Sequence, residues 1–294
     1  MKKSSNKSGG HLLVVGMARS GTTFVTDLIA RSGSFHVEIE PHALWKSGNF
    51  KYLNDEEFDI KESTIKRLRR SFLTEANGQR ILEKSPINCL RPQLVHAVFP
   101  DAKIVYIERD PVRCIYSNYL RSVKNDSFKP SITLRKYFLK TGSEDLPYAV
   151  SERSLFKQIT LFDLPYFLRY VIWMIWNRNI KPSLFPFGPK KKGFMEYVKK
   201  YGILSYHVLL FKKSVFYKSQ YEELFKEQIK SFKLEDLMNQ EREIKRLLEW
   251  AEVEYHDKEI RQLLNEFDSD RKAQAVQNNV LDEEIRVLLD RIKP

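Results

Sequence analysis

Two segments of this chain carry residues whose types and spacing suit the binding of phosphate-like anions. The first is Gly16-Met-Ala-Arg-Ser-Gly-Thr-Thr23, which follows the apolar run His11-Leu-Leu-Val-Val15 and precedes Phe24, Val25, Leu28 and Ile29 at helical spacing. A strand that turns sharply into a helix aims several backbone N–H groups and the positive end of the helix dipole at one point. Arg19 adds a cation there, and Thr22 and Thr23 add hydroxyl donors. The loop has the length of a nucleotide triphosphatase's phosphate loop, yet Thr22 stands where those proteins carry lysine. The second segment is Glu108-Arg109-Asp110-Pro111 after the apolar run Lys103–Ile107. Arg109 ends a strand at the edge where α/β sheets bind ligands, Asp110 is a suitable cap and Pro111 suits a first helical turn, so a second phosphate can be gripped there.

The elements that must position these residues read as an α/β domain. Apolar strands at 11–15 and 103–107, with a shorter one at Arg80–Leu82, are continuous rather than alternating and are separated by helical stretches. That pattern predicts a parallel sheet covered on both faces, a P-loop NTPase-like three-layer fold with central sheet, flanking helices and helical insertions. The C-terminal third is expected to be helical, with Ile244, Leu247, Leu248 and Ala251 on one face and Ile260, Leu263, Leu264 and Phe267 on another. Ser214–Tyr221 reads as a late strand leading into a helix at Glu222. Phe162–Ile180 is aromatic-rich, but Asp163, Pro165 and Arg169 make it too polar to span a bilayer. It is expected as a buried helix of an acceptor-side insertion. The alternative is a helix resting on a membrane, with Arg169, Arg178, Lys181 and Lys190–Lys192 toward lipid phosphates, so that peripheral contact would run through residues 162–192.

The whole chain narrows the classes. Its 294 residues show no linker-like stretch, which predicts one domain over 11–294 behind a disordered basic tail at 1–10. That tail lacks the apolar run of a secretory signal. Two cysteines, Cys89 and Cys114, do not make a disulfide framework, and a reducing, cytoplasmic setting is expected, with the inner membrane face as the peripheral alternative. No Cys/His cluster has zinc spacing, and no metal is expected. A net charge of +12 implies anionic partners, while the absence of zinc-finger or RNP-like patterns argues against nucleic acid.

The string Arg-Ser-Gly-Thr-Thr directly after an apolar strand resembles the 5′-phosphosulfate loop of the sulfotransferase superfamily that uses 3′-phosphoadenosine-5′-phosphosulfate (PAPS). By that resemblance Arg19, Ser20, Gly21, Thr22 and Thr23 hold the 5′-phosphosulfate of PAPS as co-substrate. Arg109 and, eight residues on, Ser117 match the family's 3′-phosphate motif, and Arg271-Lys272 stands where members often place a further basic residue, though Ala273 replaces the glycine usual in the cytosolic branch. Glu40-Pro-His-Ala-Leu-Trp45 resembles bacterial carbohydrate- and lipid-directed members with a Glu-Pro here. The resemblance implies a glycan, glycolipid or other hydroxyl (or amine) acceptor, with Glu38, His42, Trp45 and Asn88 on the substrate side.

In-line sulfuryl transfer uses a base near the attacking atom and cations near the leaving oxygen. Glu40 is the expected base, with Glu38 and His42 as alternatives, and Lys84 of the Glu83-Lys-Ser-Pro86 segment is the expected electrostatic catalyst beside Arg19. No histidine follows Lys84 closely, as it does in the cytosolic branch, which favours a carboxylate base. Two fainter likenesses are Phe187-Gly-Pro189 to a Trp-Gly-Pro element and Tyr221-Glu-Glu-Leu224 to the Tyr-Glu-Asp-Leu of the last strand-to-helix junction. The rival readings are a P-loop kinase or other nucleotide-triphosphate-dependent enzyme, disfavoured by Thr22 and by the lack of a strand ending in a Walker B aspartate, and a non-catalytic binder that keeps the anion grip.

Overall fold

The computed structural model describes residues 10–33, 35–124, 160–256, 258, 260, 261, 264 and 279–294. Residues 1–9 of the tail expected at 1–10 and the basic pair Arg271-Lys272 lie outside the described residues. The strands are β1 (Leu12–Val15), β2 (Phe35–Ile39), β3 (Arg80–Lys84), β4 (Lys103–Glu108) and β5 (Ile229–Lys233). They form one sheet in the order β2-β3-β1-β4-β5, and every pairing is parallel. Side chains alternate across a strand, and β1 shows the result: Leu13 and Val15 enter one core, Leu12 and Val14 the other. Helices cover both faces, which is the expected three-layer α/β arrangement.

On the Leu12 face pack α1 (Thr22–Ser32), α8 (Leu234–Asn239) and α9 (Glu241–Trp250). The opposite face carries α2 (His42–Lys46), α3 (Glu62–Ala76), α4 (Pro92–Val98), α6 (Leu164–Ile180) and α7 (Phe194–Phe225), which is broken at Gly202 with φ 84° and ψ 167°. Two further helices, α5 (Pro111–Val123) and α10 (Asn279–Arg291), share a smaller cluster with α7 around Ile115, Val208 and Ile285.

Three expectations change. Ser214–Tyr221 is helical, inside α7, because Tyr206, Leu210, Ser214, Tyr221 and Phe225 recur at helical spacing and bury one stripe, which overrides the strand preference of Val215-Phe-Tyr217. The late strand is instead β5, a short edge strand that buries only Phe232 and so leaves little apolar signature. Its exit, Leu234-Glu-Asp-Leu237, is the last strand-to-helix junction, the place that Tyr221-Glu-Glu-Leu224 was expected to fill. Finally, α6 is not a fully buried helix. It buries Phe167, Tyr170, Val171 and Met174 while Ile172 and Trp176 stand exposed.

Beneath the sheet's C-terminal edge, Glu83 is fully buried. Its carboxylate accepts from Trp45 Nε1 at 2.8 Å and Asn88 Nδ2 at 3.1 Å. Burial pushes its pKa up to about 7. A carboxyl raised in the folded state stabilises fully below its unfolded value and loses that contribution as pH rises through the folded one. Denaturant titrations are therefore expected to show wild type losing on the order of 3 kcal/mol relative to Glu83→Gln between about pH 4.5 and pH 7. Parallel pH profiles of the two proteins would refute this assignment.

Candidate active site

All five strands run the same way, so their C-terminal ends form one edge, and each end delivers a segment of the site. The loop after β1 is held by two left-handed residues, Arg19 (φ 66°) and Gly21 (φ 98°). Such alternation turns successive N–H groups toward one point, a geometry that suits an anion. A Cβ on Gly16 would lie 2.6 Å from Ser20 Oγ and 2.8 Å from the Ile107 carbonyl oxygen, and one on Gly21 would lie 2.5 Å from Leu234 Cδ1. The β1–α1 turn thus fits between β4 and α8 only with glycine at both places. Ser20 is 2% exposed and its Oγ has no hydrogen-bond partner among the described residues. Thr22 is buried and Thr23 exposed.

The segment after β4, expected to grip a second phosphate, comes to this loop. Asp110 Oδ1 accepts the Arg113 N–H at 2.9 Å and Pro111 opens α5, the cap and start the sequence indicated. Arg19 Nε donates to Ser117 Oγ at 3.1 Å, and Arg109 Nη1 donates to the Arg19 carbonyl at 2.6 Å. Burial, then the nearby Arg109 and Arg121, lowers the pKa of Arg19. Among the described residues no carboxylate pairs with Arg19, Arg109 or Arg121, and this crowding of like charge favours an anionic ligand. Asn118, which sequence reasoning passed over, donates from Nδ2 to the Ala18 carbonyl at 2.7 Å and locks α5 to the loop. Its only signal was a polar residue on the apolar face of a helix.

Glu40 follows β2 in a left-handed conformation (φ 52°), and its N–H donates to the Lys84 carbonyl at 2.8 Å. Their side chains pair as well, Lys84 Nζ to Glu40 Oε1 at 2.7 Å, and His42 Nε2 lies 3.3 Å from Glu40 Oε2. A cavity of about 200 Å³ opens beside them, with Ala18 of the loop, Glu40, His42, Tyr170, Trp173 and Phe187 in its wall. The other expected substrate residues do not line it. Glu38 is 2% exposed and paired with His36 at 2.9 Å, while Trp45 and Asn88 are fully buried on Glu83, because β2, α2 and the turn after β3 respectively point them into the core.

The cavity wall was not legible in sequence, since it is assembled from distant loops. Lys46 Nζ donates to the carbonyls of Tyr52 (2.8 Å) and Asn54 (2.7 Å), and Lys190 Nζ donates to those of Pro186 and Gly188. Burial lowers the two ammonium groups to about 8 and about 7, opposed by Asp55, whose Oδ2 also accepts the Lys190 N–H at 2.8 Å. Phe187-Gly-Pro189, flagged for its likeness to a Trp-Gly-Pro element, belongs to this wall. The Phe187 N–H donates to Ser122 Oγ at 2.9 Å, and that oxygen lies 2.7 Å from His207 Nε2.

Against known proteins, residues 40–166 match the family model described as the sulfotransferase family, a span that runs from Glu40 through Lys84, Arg109 and Ser117. The match supports a sulfotransferase. No curated protein matches the chain. Among solved structures it is similar to a sulfotransferase from Alicyclobacillus acidocaldarius (15% identity, 97% of each chain, TM-score 0.41). It is also similar to mouse sulfotransferase SULT7A1 complexed with PAP (13% identity, 92% of this chain and 69% of that one, TM-score 0.43). A third is sulfotransferase STF9 from Mycobacterium avium (12% identity, 97% and 77%, TM-score 0.40).

The loop geometry makes a specific demand on Gly21. Gly21→Ala is expected to destabilise the protein by about 1–2 kcal/mol from left-handed strain alone, with a further loss from the Leu234 clash. In a Leu234→Ala background the clash is gone and the strain stays. Chemical denaturation of the double cycle checks this, and full recovery in the double variant would show that packing, not backbone, requires the glycine.

Proposed function

We propose that the protein is a PAPS-dependent sulfotransferase that moves a sulfuryl group to a hydroxyl (or amine) of a glycan, glycolipid or related acceptor, with residues 11–294 acting as one catalytic domain. The observation that carries this reading is the meeting of Arg19, Arg109 and Ser117 on the β1–α1 turn, without a partnering carboxylate among the described residues, next to a cavity walled by Glu40. Ser20, Gly21, Thr22 and Thr23 would hold the 5′-phosphosulfate with Arg19, and Arg109 with Ser117 would hold the 3′-phosphate. The buried Ser20 hydroxyl without a partner fits such a ligand.

Chemistry follows from the Glu40–Lys84 pair. The acceptor oxygen attacks sulfur, the bond from sulfur to the bridging phosphate oxygen breaks, and the electron pair leaves with the nucleotide. Glu40 takes the acceptor proton, and Lys84 neutralises charge growing on the bridging oxygen. The 2.7 Å contact holds the two groups mutually oriented before substrate arrives. His42, at 3.3 Å from Glu40, is also near enough to pass a proton.

The nucleotide itself separates this reading from a kinase. In calorimetric titrations 3′-phosphoadenosine-5′-phosphate (PAP) is expected to bind without metal, and Arg109→Ala to weaken it about tenfold or more, since a charge-assisted contact is lost. Metal-dependent ATP binding with no PAP binding would overturn the proposal. Glu40→Gln is expected to keep PAP affinity while transfer from labelled PAPS to a panel of hydroxyl acceptors falls by about 10²–10⁴. Undiminished transfer would remove Glu40 as the base.

A further inference from the structure

The two faces of α6 meet different surroundings. Inward, Tyr170, Trp173, Met174 and Arg178 line the cavity beside Glu40. Outward, Leu168, Ile172, Trp176 and Ile180 recur every four residues, so they lie in one stripe about 18 Å long. Their exposures are 43%, 64%, 60% and 55%. Phe162, just before α6, is 91% exposed, and Tyr166 in its first turn is 49% exposed. An exposed apolar strip of this length on a soluble surface signals a contact.

The ends of the stripe indicate what it meets. Lys181 and Lys199 share a shallow groove with Ile180, Leu184, Met195 and a single acid, Glu196. Lys200 lies 4.9 Å over the ring of the exposed Tyr201. At the other end the Arg169 guanidinium stacks 5.7 Å from the Tyr166 ring. Aromatic and aliphatic side chains in one stripe, bordered by lysines and arginine in a chain of net charge +12, complement a bilayer interface bearing anionic headgroups. No helix among the described residues is long and apolar enough to cross a membrane, so α6 would lie on the surface.

We propose that the outer face of α6 docks on an anionic bilayer and that its inner face thereby presents the cavity to an acceptor hydroxyl carried on a membrane amphiphile. The docking stands on the exposed stripe and its cations alone. The acceptor class rests additionally on the sulfotransferase reading.

The test is co-sedimentation of the full chain with vesicles of phosphatidylcholine, with and without about one-third phosphatidylglycerol. Binding to the anionic vesicles is expected, weakened by salt, and Ile172→Ser/Trp176→Ser is expected to reduce partitioning about tenfold or more through lost apolar burial. PAP affinity of that variant should be unchanged, which shows that the protein is folded. Failure of PAP binding in both proteins, with docking intact, would sink the transfer reading and leave the docking. Absence of vesicle binding, or equal binding by the variant, would overturn the docking. So would two further outcomes before vesicles are added: a stable dimer by light scattering that the variant abolishes, which gives the stripe to a second copy, or acrylamide quenching identical in wild type and Trp176→Phe, which shows the stripe covered by residues 125–159 of the same chain.

Discussion

β1 lies between β3 and β4, and because the three strands are parallel their C-terminal ends stop at one edge. The rest of the site hangs on that alignment. It sets the Gly16–Thr23 turn beside Lys84 on one side and Arg109 on the other. Extension of the same ladder pairs Ile39 with Lys84, so the next residue, Glu40, is placed by a backbone hydrogen bond to Lys84 before its side chain contributes anything. An antiparallel β3 or β4 would carry Lys84 or Arg109 to the far edge.

Helix α5 then couples the two halves of the site. Asn118 fastens it to Ala18 of the anion loop, and one turn later Ser122 fastens it to Phe187 of the cavity wall. Ser117, the neighbour of Asn118, accepts from Arg19. One helix therefore sets the distance between the β1–α1 loop and the cavity.

Charge is partitioned in the same way. The arginines around the β1–α1 loop have no carboxylate partner among the described residues, whereas Lys46 and Lys190 of the cavity wall are hydrogen-bonded to backbone carbonyls beside Asp55, and Lys84 is paired with Glu40. Glu83, one residue before Lys84, is buried and bonded to Trp45 and Asn88. Because side chains of adjacent strand residues point to opposite faces, Glu83 anchors the core while Lys84 serves the edge. The string Glu-Lys-Ser-Pro thus combines a core anchor with the proposed electrostatic catalyst.

The sequence by itself determined what depends on local chemistry. The β1–α1 turn, with glycine at 16 and 21 and arginine at 19, the Asp110-Pro111 cap and the apolar strands β1, β3 and β4 are each specified by neighbouring residues. So is the three-layer α/β class. Tertiary structure decided what depends on packing across the chain. The sheet recruited the polar edge strand β5 through hydrogen bonds that carry no side-chain signature, and core burial made a helix of Val215-Phe-Tyr217. Trp45 and Asn88 were drawn beneath Glu83, and the cavity was built from α6, the 185–190 loop and Asp55. Several of those contacts, such as Asp55 with Lys190, join residues more than a hundred positions apart, and their free energy exists only once the chain has folded.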